Sequence, residues 1–215
     1  MGTVLYITAH PFDDAQSHAM AAGKEFLQAY RTVHPLEEVI HLDLFKMDIP
    51  HLDADVFNGW EKLKTGTAFE ELSVNEKKKV GRINELVDQF VAADKYVFVS
   101  PIWNYSYPPI LKAYIDCICI VGKTFKYLPD VGRIGLLSDK KAIHIQASGS
   151  IMSPGSQSPA ESWEMGHRHL NVIMEFMGIS NFSGIFIEGM AEYPDQALQI
   201  KEKALHRTRE VAREF

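Results

Sequence analysis

Residues 95–109 read Lys95-Tyr96-Val97-Phe98-Val99-Ser100-Pro101-Ile102-Trp103-Asn104-Tyr105-Ser106-Tyr107-Pro108-Pro109, and this stretch decides the fold class. Lys95–Pro101 is a short, nearly continuous apolar run, the pattern of a strand covered on both faces and so of a parallel sheet. Three aromatic side chains (Trp103, Tyr105 and Tyr107) follow within a loop bounded by proline. Pro108 and Pro109 suit the first turn of a helix, where a missing amide costs nothing. The helix they open carries Leu111, Tyr114, Ile115 and Ile118 on one face.

The same strand–loop–helix alternation extends in both directions. Val4–Ala9 is a first buried strand, and from Ser17 to Val33 the residues Ala19, Ala22, Phe26, Ala29 and Val33 recur at helical spacing until Pro35. Val39–Leu44 alternates in character, as an edge strand does. Between Phe45 and Leu72 the period is lost. Ser73-Val74-Asn75-Glu76 is then a capping box for a helix bearing Val80, Ile83, Leu86, Val87, Phe90 and Val91. Residues 122–139 form a turn-rich excursion or a hairpin, and Lys141–Ala147 is the fourth strand. Ser158-Pro159-Ala160-Glu161 reads as a second capping box, opening a helix that runs to Met177 and stops at Gly178. Asn181–Glu188 is the fifth strand. Pro194 opens the last helix, with Leu198, Lys201, Leu205, Thr208, Val211 and Ala212 inward. Strands separated by helices imply right-handed parallel crossovers, hence a doubly wound, five-stranded α/β sandwich with helices on both faces. The expectation is a single domain over residues 1–215, with excursions at about 45–72 and 121–139.

Composition narrows the function. At 215 residues, 46% hydrophobic and 23% charged, the chain is neither disordered nor fibrous. A formal net charge of −6 argues against nucleic acid or an anionic membrane as partner. Cys117 and Cys119 lie in an apolar segment, where structural thiols in a reducing compartment are expected and a disulfide framework is not. The chain opens on a strand rather than a signal peptide, and no apolar run reaches a membrane span of about 18–20 residues, so a soluble cytoplasmic protein is expected. Lys77-Lys78-Lys79 reads as a solvated helix face. His167-Arg168-His169 reads as an exposed one and not as a metal site, because residues two apart on a helix diverge. No G-x-G-x-x-G follows a strand and there is no P-loop, so a dinucleotide would be a transient visitor.

In an open parallel sheet the ligand sits beyond the carboxyl ends of the strands, where the winding reverses. The loops concerned are His10–Ser17, Pro101–Pro109 and Ser148–Ser158, rich in small, polar and aromatic residues. Ser17 opens a helix and serves equally well as an N-cap or as part of an anion site. Asp13 and Asp14 either face solvent or, in the case of Asp14, cap that helix. The aromatic loop suits a stacking wall for a planar molecule. Ala147-Ser148-Gly149-Ser150 allows close backbone approach.

These loops carry a resemblance that spans essentially the whole chain. Leu5-Tyr6-Ile7-Thr8-Ala9-His10-Pro11, Ser100-Pro101-Ile102-Trp103-Asn104-Tyr105, Pro109-Ile110-Leu111-Lys112-Ala113-Tyr114-Ile115-Asp116, Gly122-Lys123-Thr124-Phe125-Lys126-Tyr127 and Gly135-Leu136-Leu137 together resemble the FMN-dependent NADH azoreductases, also described as NADH:quinone oxidoreductases, of the flavodoxin-like superfamily. The helix pattern Pro-x-Leu-Lys-x-Tyr-x-Asp is shared with FAD-type quinone reductases and does not by itself choose the flavin. The resemblance implies a flavodoxin-like fold and bound FMN. It places the phosphate on Ser17, His18 and Ala19, and the isoalloxazine on Ile102, Trp103, Asn104 and Tyr105. Its fourth-strand segment falls on Ala147, Ser148, Gly149 and Ser150. Ala19 stands where some relatives have a hydroxyl, and Ser148 where they have arginine. Also implied are a homodimer with two sites at its interface, walls from Phe125, Tyr127 and Phe176 (the last from the other subunit), and two-electron ping-pong transfer from NADH to quinones or azo compounds. No side chain is expected as a dedicated acid or base; water, His10 or His144 is the proton source. The alternative is a flavodoxin-like electron carrier without a small-molecule substrate of its own.

Overall fold

The computed structural model describes residues 2–215. In chain order its elements are β1 (Thr3–Thr8), α1 (His18–Val33), β2 (Glu38–Asp43), α2 (Ala54–Lys64), α3 (Val74–Ala92), β3 (Lys95–Pro101) and α4 (Pro109–Ile118). There follow β4 (Phe125–Leu128), β5 (Gly132–Gly135), β6 (Lys141–Ala147), α5 (Gly166–Met177), β7 (Asn181–Ile187) and α6 (Ala197–Glu214). Five strands pair in parallel in the order β2-β1-β3-β6-β7, and β4 and β5 form a separate antiparallel hairpin. The chain winds outward from β1 to β2, then crosses back over β1 to β3. The strand ends beside that reversal part to leave a crevice.

Alternation along the inner strands sends side chains to two cores. Tyr6, Val97, Val99, Ile143 and Ile145 pack under α1 and α6 with Ala22, Phe26 and Ala212. Leu5, Ile7, Phe98 and Ala142 pack on the opposite face beneath α3, α4 and α5, with Ile83, Phe90, Leu111 and Met174. Both faces of the sheet are covered, as the apolar runs require. β2 lies at an edge and is only partly buried.

Several local expectations are corrected. Residues 45–72 are not irregular throughout: Asp53 caps α2 by accepting from the amides of Asp55 (3.1 Å) and Val56 (3.3 Å). The stretch at Ser158–Glu161 is not a capping box. Glu161 instead accepts from the amides of Gly155 and Gln157, both at 2.8 Å, and closes the loop on itself. α5 begins at Gly166, where buried Glu164 accepts from the amides of His167 (2.6 Å) and Arg168 (3.1 Å). The Ser73–Glu76 capping box is formed. Val33 and Leu198 face solvent, at 46% and 83% exposed, so Tyr30 fills the place expected of Val33. Lys79 is not merely solvated, because it bridges Asp53 and Asp55 at 2.5 Å each and pins the start of α2 to α3. No helix among the described residues is long and apolar enough to cross a membrane.

Candidate functional site

α1 starts where the chain leaves β1 and turns over the sheet edge. The Asp13 carbonyl accepts from the Ser17 amide at 3.0 Å, and Ser17 is the N-cap, its Oγ accepting from Met20 N at 3.3 Å. A helix leaves its first four amides without intrahelical partners. Met20 N is taken by the Ser17 side chain and Ala21 N by its carbonyl, which leaves the amides of His18 and Ala19. Ala19 is wholly buried and does not line the cleft. Asp14 does not cap the helix; it pairs with Lys24 at 2.6 Å. Asp13 accepts from Ala15 N at 3.0 Å and stiffens the loop.

Beyond β3 the chain makes a two-residue turn. Trp103 N donates to Ser106 O (2.7 Å), Ser106 N donates to Trp103 O (3.1 Å), and the central residues have φ of 49° (Asn104) and 69° (Tyr105). Left-handed backbone at two non-glycine residues stores on the order of 1–3 kcal/mol each, and such strain clusters at ligand clamps. The turn is held from outside: Met165 N donates to Tyr105 O at 2.8 Å, the Tyr105 ring sits edge-on to Trp163, and Tyr107 OH bonds His169 Nδ1. Its root is tied to β6 by Ile102 N donating to Ala147 O at 2.8 Å.

The loop after β6 completes the arrangement. Ser148 N donates to Ile187 O at 3.0 Å, and the Ser148 hydroxyl donates to Ser150 O at 2.7 Å. Gly149 O accepts from Ala191 N at 3.0 Å, and a Cβ on Gly149 would stand 3.0 Å from the Ala191 side chain. Glu188 clamps the next residues, accepting from the amides of Met152 and Ser153 at 2.9 Å and from Ser153 Oγ at 2.5 Å.

These segments enclose a cleft of about 470 Å³, within the range of small-molecule sites. Ser17, His18, Ile102, Ala147, Ser148 and Gly149 line it. Of the other expected residues, Trp103, Asn104 and Tyr105 form the exposed turn at its rim, Ala19 lies beneath it, and Ser150 receives the Ser148 hydroxyl. Phe125, Tyr127 and Phe176 are not part of its lining. Phe125 and Phe176 pack on each other where the hairpin meets α5, with ring centroids 4.4 Å apart, and Tyr127 is exposed. Sequence reasoning missed Gln16 and the contribution of the β7–α6 connection, which brings Met190, Ala191 and the start of α6 at Ala197 into the wall.

His10 lines the cleft and accepts from Phe12 N on Nδ1 at 3.0 Å. Burial lowers its pKa, so at neutral pH the uncharged ring presents its Nε2–H. Burial, and then the charge of Lys201, lower His18 as well. His144 does not reach the cleft: it is fully buried with Nε2 2.9 Å from Ser100 Oγ, and burial holds its pKa well below the ordinary value. His167 is not on an open face. Its ring stacks between His144 and Phe182, and burial lowers its pKa to about 4. No cluster able to hold a metal ion occurs among the described residues.

A cleft with an amide-lined end, an apolar floor at Pro101, Ile102 and Ala147, and an aromatic rim fits a planar ring with an anionic tail. Residues 2–212 match the model of a family described as having a flavodoxin-like fold. The FMN-dependent NADH:quinone oxidoreductase of Geobacillus kaustophilus is 58% identical over all 215 residues of both chains. FMN-dependent NADH:quinone oxidoreductase 2 of Bacillus subtilis is 56% identical over the same span. The chain belongs to the FMN-dependent NADH:quinone oxidoreductase family. Among solved structures, an azoreductase from Bacillus anthracis superposes with a TM-score of 0.92 at 35% identity, covering 100% of both chains. An FMN-dependent NADH-azoreductase of the same organism, solved in complex with FMN, gives 0.89 at 32% identity over 99% of this chain and 98% of that one.

Proposed function

We infer that this chain is an FMN-dependent oxidoreductase that uses NADH to reduce quinones and azo compounds by two-electron transfer. The observation that carries the reading is the convergence of the loops after β1, β3 and β6 on one cleft. FMN, when bound, supplies the hydride chemistry, taking two electrons from NADH and delivering them to the acceptor in turn. The protein supplies position and electrostatics.

Ser17, His18 and Ala19 would hold the phosphate. The Ser17 hydroxyl accepts from Met20 N, so its own proton is free to be donated, and the two unclaimed amides add the positive end of the α1 dipole. At the two departures from relatives, Ala19 would contribute through its amide alone, and the hydroxyl of Ser148 is spent on the carbonyl of Ser150. Ile102 and Ala147 would floor the ring, with Trp103, Asn104, Tyr105, Gly149 and Ser150 along its edge. Asn104, exposed at the head of a strained turn, would favour negative charge on the ring through its amide. His10, with Nδ1 accepting from Phe12 N, would offer its Nε2–H to a ligand and stay neutral, which leaves water in the open cleft as the source of protons.

Each chain would act as a single domain within a homodimer in the cytoplasm. Supporting the dimer, the hairpin and α5 expose Tyr127, Val131 and Val172 at 64%, 67% and 55%. A second copy seated there would bring Phe125, Tyr127 and Phe176 to its partner's cleft and bury that apolar surface.

Titration of apo-protein with FMN, followed by anaerobic addition of NADH, tests the reading. The flavin band should bleach and return on adding a quinone, and the loaded protein should sediment as a dimer. Failure to take up FMN, or FMN uptake without direct reduction by NADH, would overturn it, the second outcome in favour of a carrier.

A further inference from the structure

A second cleft, of about 430 Å³, opens at the carboxyl ends of β1 and β2 and shares His10 and Gln16 with the first. The two are neighbours across the β1–α1 loop. Trp103 has its ring centroid 5.8 Å from that of the shared His10 and 6.3 Å from that of Phe45. Asp43 lies in this second cleft as the last residue of β2, paired in register with Thr8. Its Oδ1 accepts from Phe45 N at 3.2 Å and its Oδ2 stands 2.8 Å from Lys46 Nζ. A carboxylate has about four lone-pair sites, so it retains capacity for hydroxyl donors.

We propose that this second cleft receives the adenosine end of NADH, with Asp43 accepting from the ribose hydroxyls while the nicotinamide reaches the flavin held in the first cleft. The proposal rests on the NADH-oxidising reading above and assigns the reductant a subsite of its own. Three observations carry it. In the Rossmann dinucleotide fold a carboxylate downstream of the first βα turn bonds the adenosine ribose, and Asp43, closing β2, holds a comparable place here. The exposed ring of Phe12, 55% accessible and beside His10, offers a face on which a purine can stack. Beside Asp43 the charges suit a free diol and oppose a 2′-phosphate: Asp13 and Asp43 line the cleft against the single ammonium of Lys46, already paired. The two imidazoles add no charge at neutral pH. His41 bonds Thr8 Oγ1 through Nε2 at 2.9 Å, and burial lowers both His41 and His10. A 2′-phosphate would therefore meet net negative charge, whereas the free ribose of NADH would not.

Anaerobic stopped-flow reduction of the FMN-loaded protein separates the outcomes, using NADH and reduced nicotinamide mononucleotide, which lacks the adenosine half. The wild type should bind NADH about tenfold or more tightly than the mononucleotide, as expected for losing hydrogen bonds to a charged acceptor. Asp43→Ala should weaken NADH binding by a similar factor, leave the limiting rate of flavin reduction and the mononucleotide unchanged, and narrow the preference over NADPH. Asp43→Asn, which keeps the acceptor for Phe45 N, should fall between. Equal wild-type affinity for the two reductants, unaltered NADH binding in Asp43→Ala, or a parallel loss for both reductants would overturn the subsite. If neither reductant bleaches the wild type, the oxidoreductase reading falls and takes the subsite with it.

Discussion

Ser17 does two jobs with one hydroxyl, and the chemistry of the group explains why. An oxygen that accepts from Met20 N to cap α1 still has a proton to give, so capping and anion binding do not compete. Ser17→Ala should weaken FMN binding by about tenfold or more, from a charge-assisted bond worth ~1.5–3 kcal/mol. It should also cost ~0.5–2 kcal/mol of stability through the lost cap. Fluorescence titration and thermal unfolding of the apo-protein read the two effects separately; a lower Tm with unaltered FMN affinity would reduce Ser17 to a cap. Sequence alone left this residue ambiguous because both roles select the same side chain. The turn at Asn104 and Tyr105 was hidden for another reason. Its left-handed backbone carries no glycine to announce it, and tertiary contacts from Met165, Trp163 and His169 hold it in place.

Among the elements, the strands and most helices were legible because apolar periodicity sets them, and β3 with its proline-led helix runs as its residues direct. The misreadings share one cause: a carboxylate in an irregular stretch can be either a breaker or a cap. Asp53 made residues 45–72 look broken when it was starting α2, and Glu161 mimicked the cap that Glu164 provides. The β7–α6 connection went unnoticed as a wall of the site because attention fell on loops with aromatic or glycine-rich signatures. Glu188 makes that connection matter, since one carboxylate holds the Met152 and Ser153 amides and the Ser153 hydroxyl against β7. Glu188→Gln brings an NH₂ group to face donors and should free the Ser148–Ser153 loop. The expected result is FMN dissociating roughly tenfold faster, on the scale of one to two lost charge-assisted bonds. Stopped-flow release of FMN into excess apo-flavoprotein measures it, and an unchanged rate would show that the loop holds itself.

For the molecule as a whole, two neutral imidazoles are built into the layer between the sheet and α5. His144 and His167 stack at 5.7 Å, and their Nδ1 atoms have no hydrogen-bond partner among the described residues. Burial lowers both, His167 to about 4, so the unfolded chain takes up protons before the folded one. The contribution of His167 is therefore complete above the ordinary imidazole value of 6.5 and is lost progressively as pH falls from there toward about 4, and His144 acts in the same direction below 6.5. His167→Phe, which keeps the stack with Phe182 and removes a titrating group, should flatten the acid limb of a plot of urea midpoint against pH over that window. An equally steep limb would place the acid sensitivity elsewhere.

One further consequence follows from the two thiols. Cys117 is buried with its Sγ donating to Pro50 O, and burial raises its pKa to about 12 and that of Cys119 to about 11. Quinones are Michael acceptors that alkylate thiolates, and only the deprotonated sulfur attacks. A catalyst that handles such electrophiles at every turnover thus keeps its entire cysteine complement protonated, and is spared covalent poisoning by its own substrates.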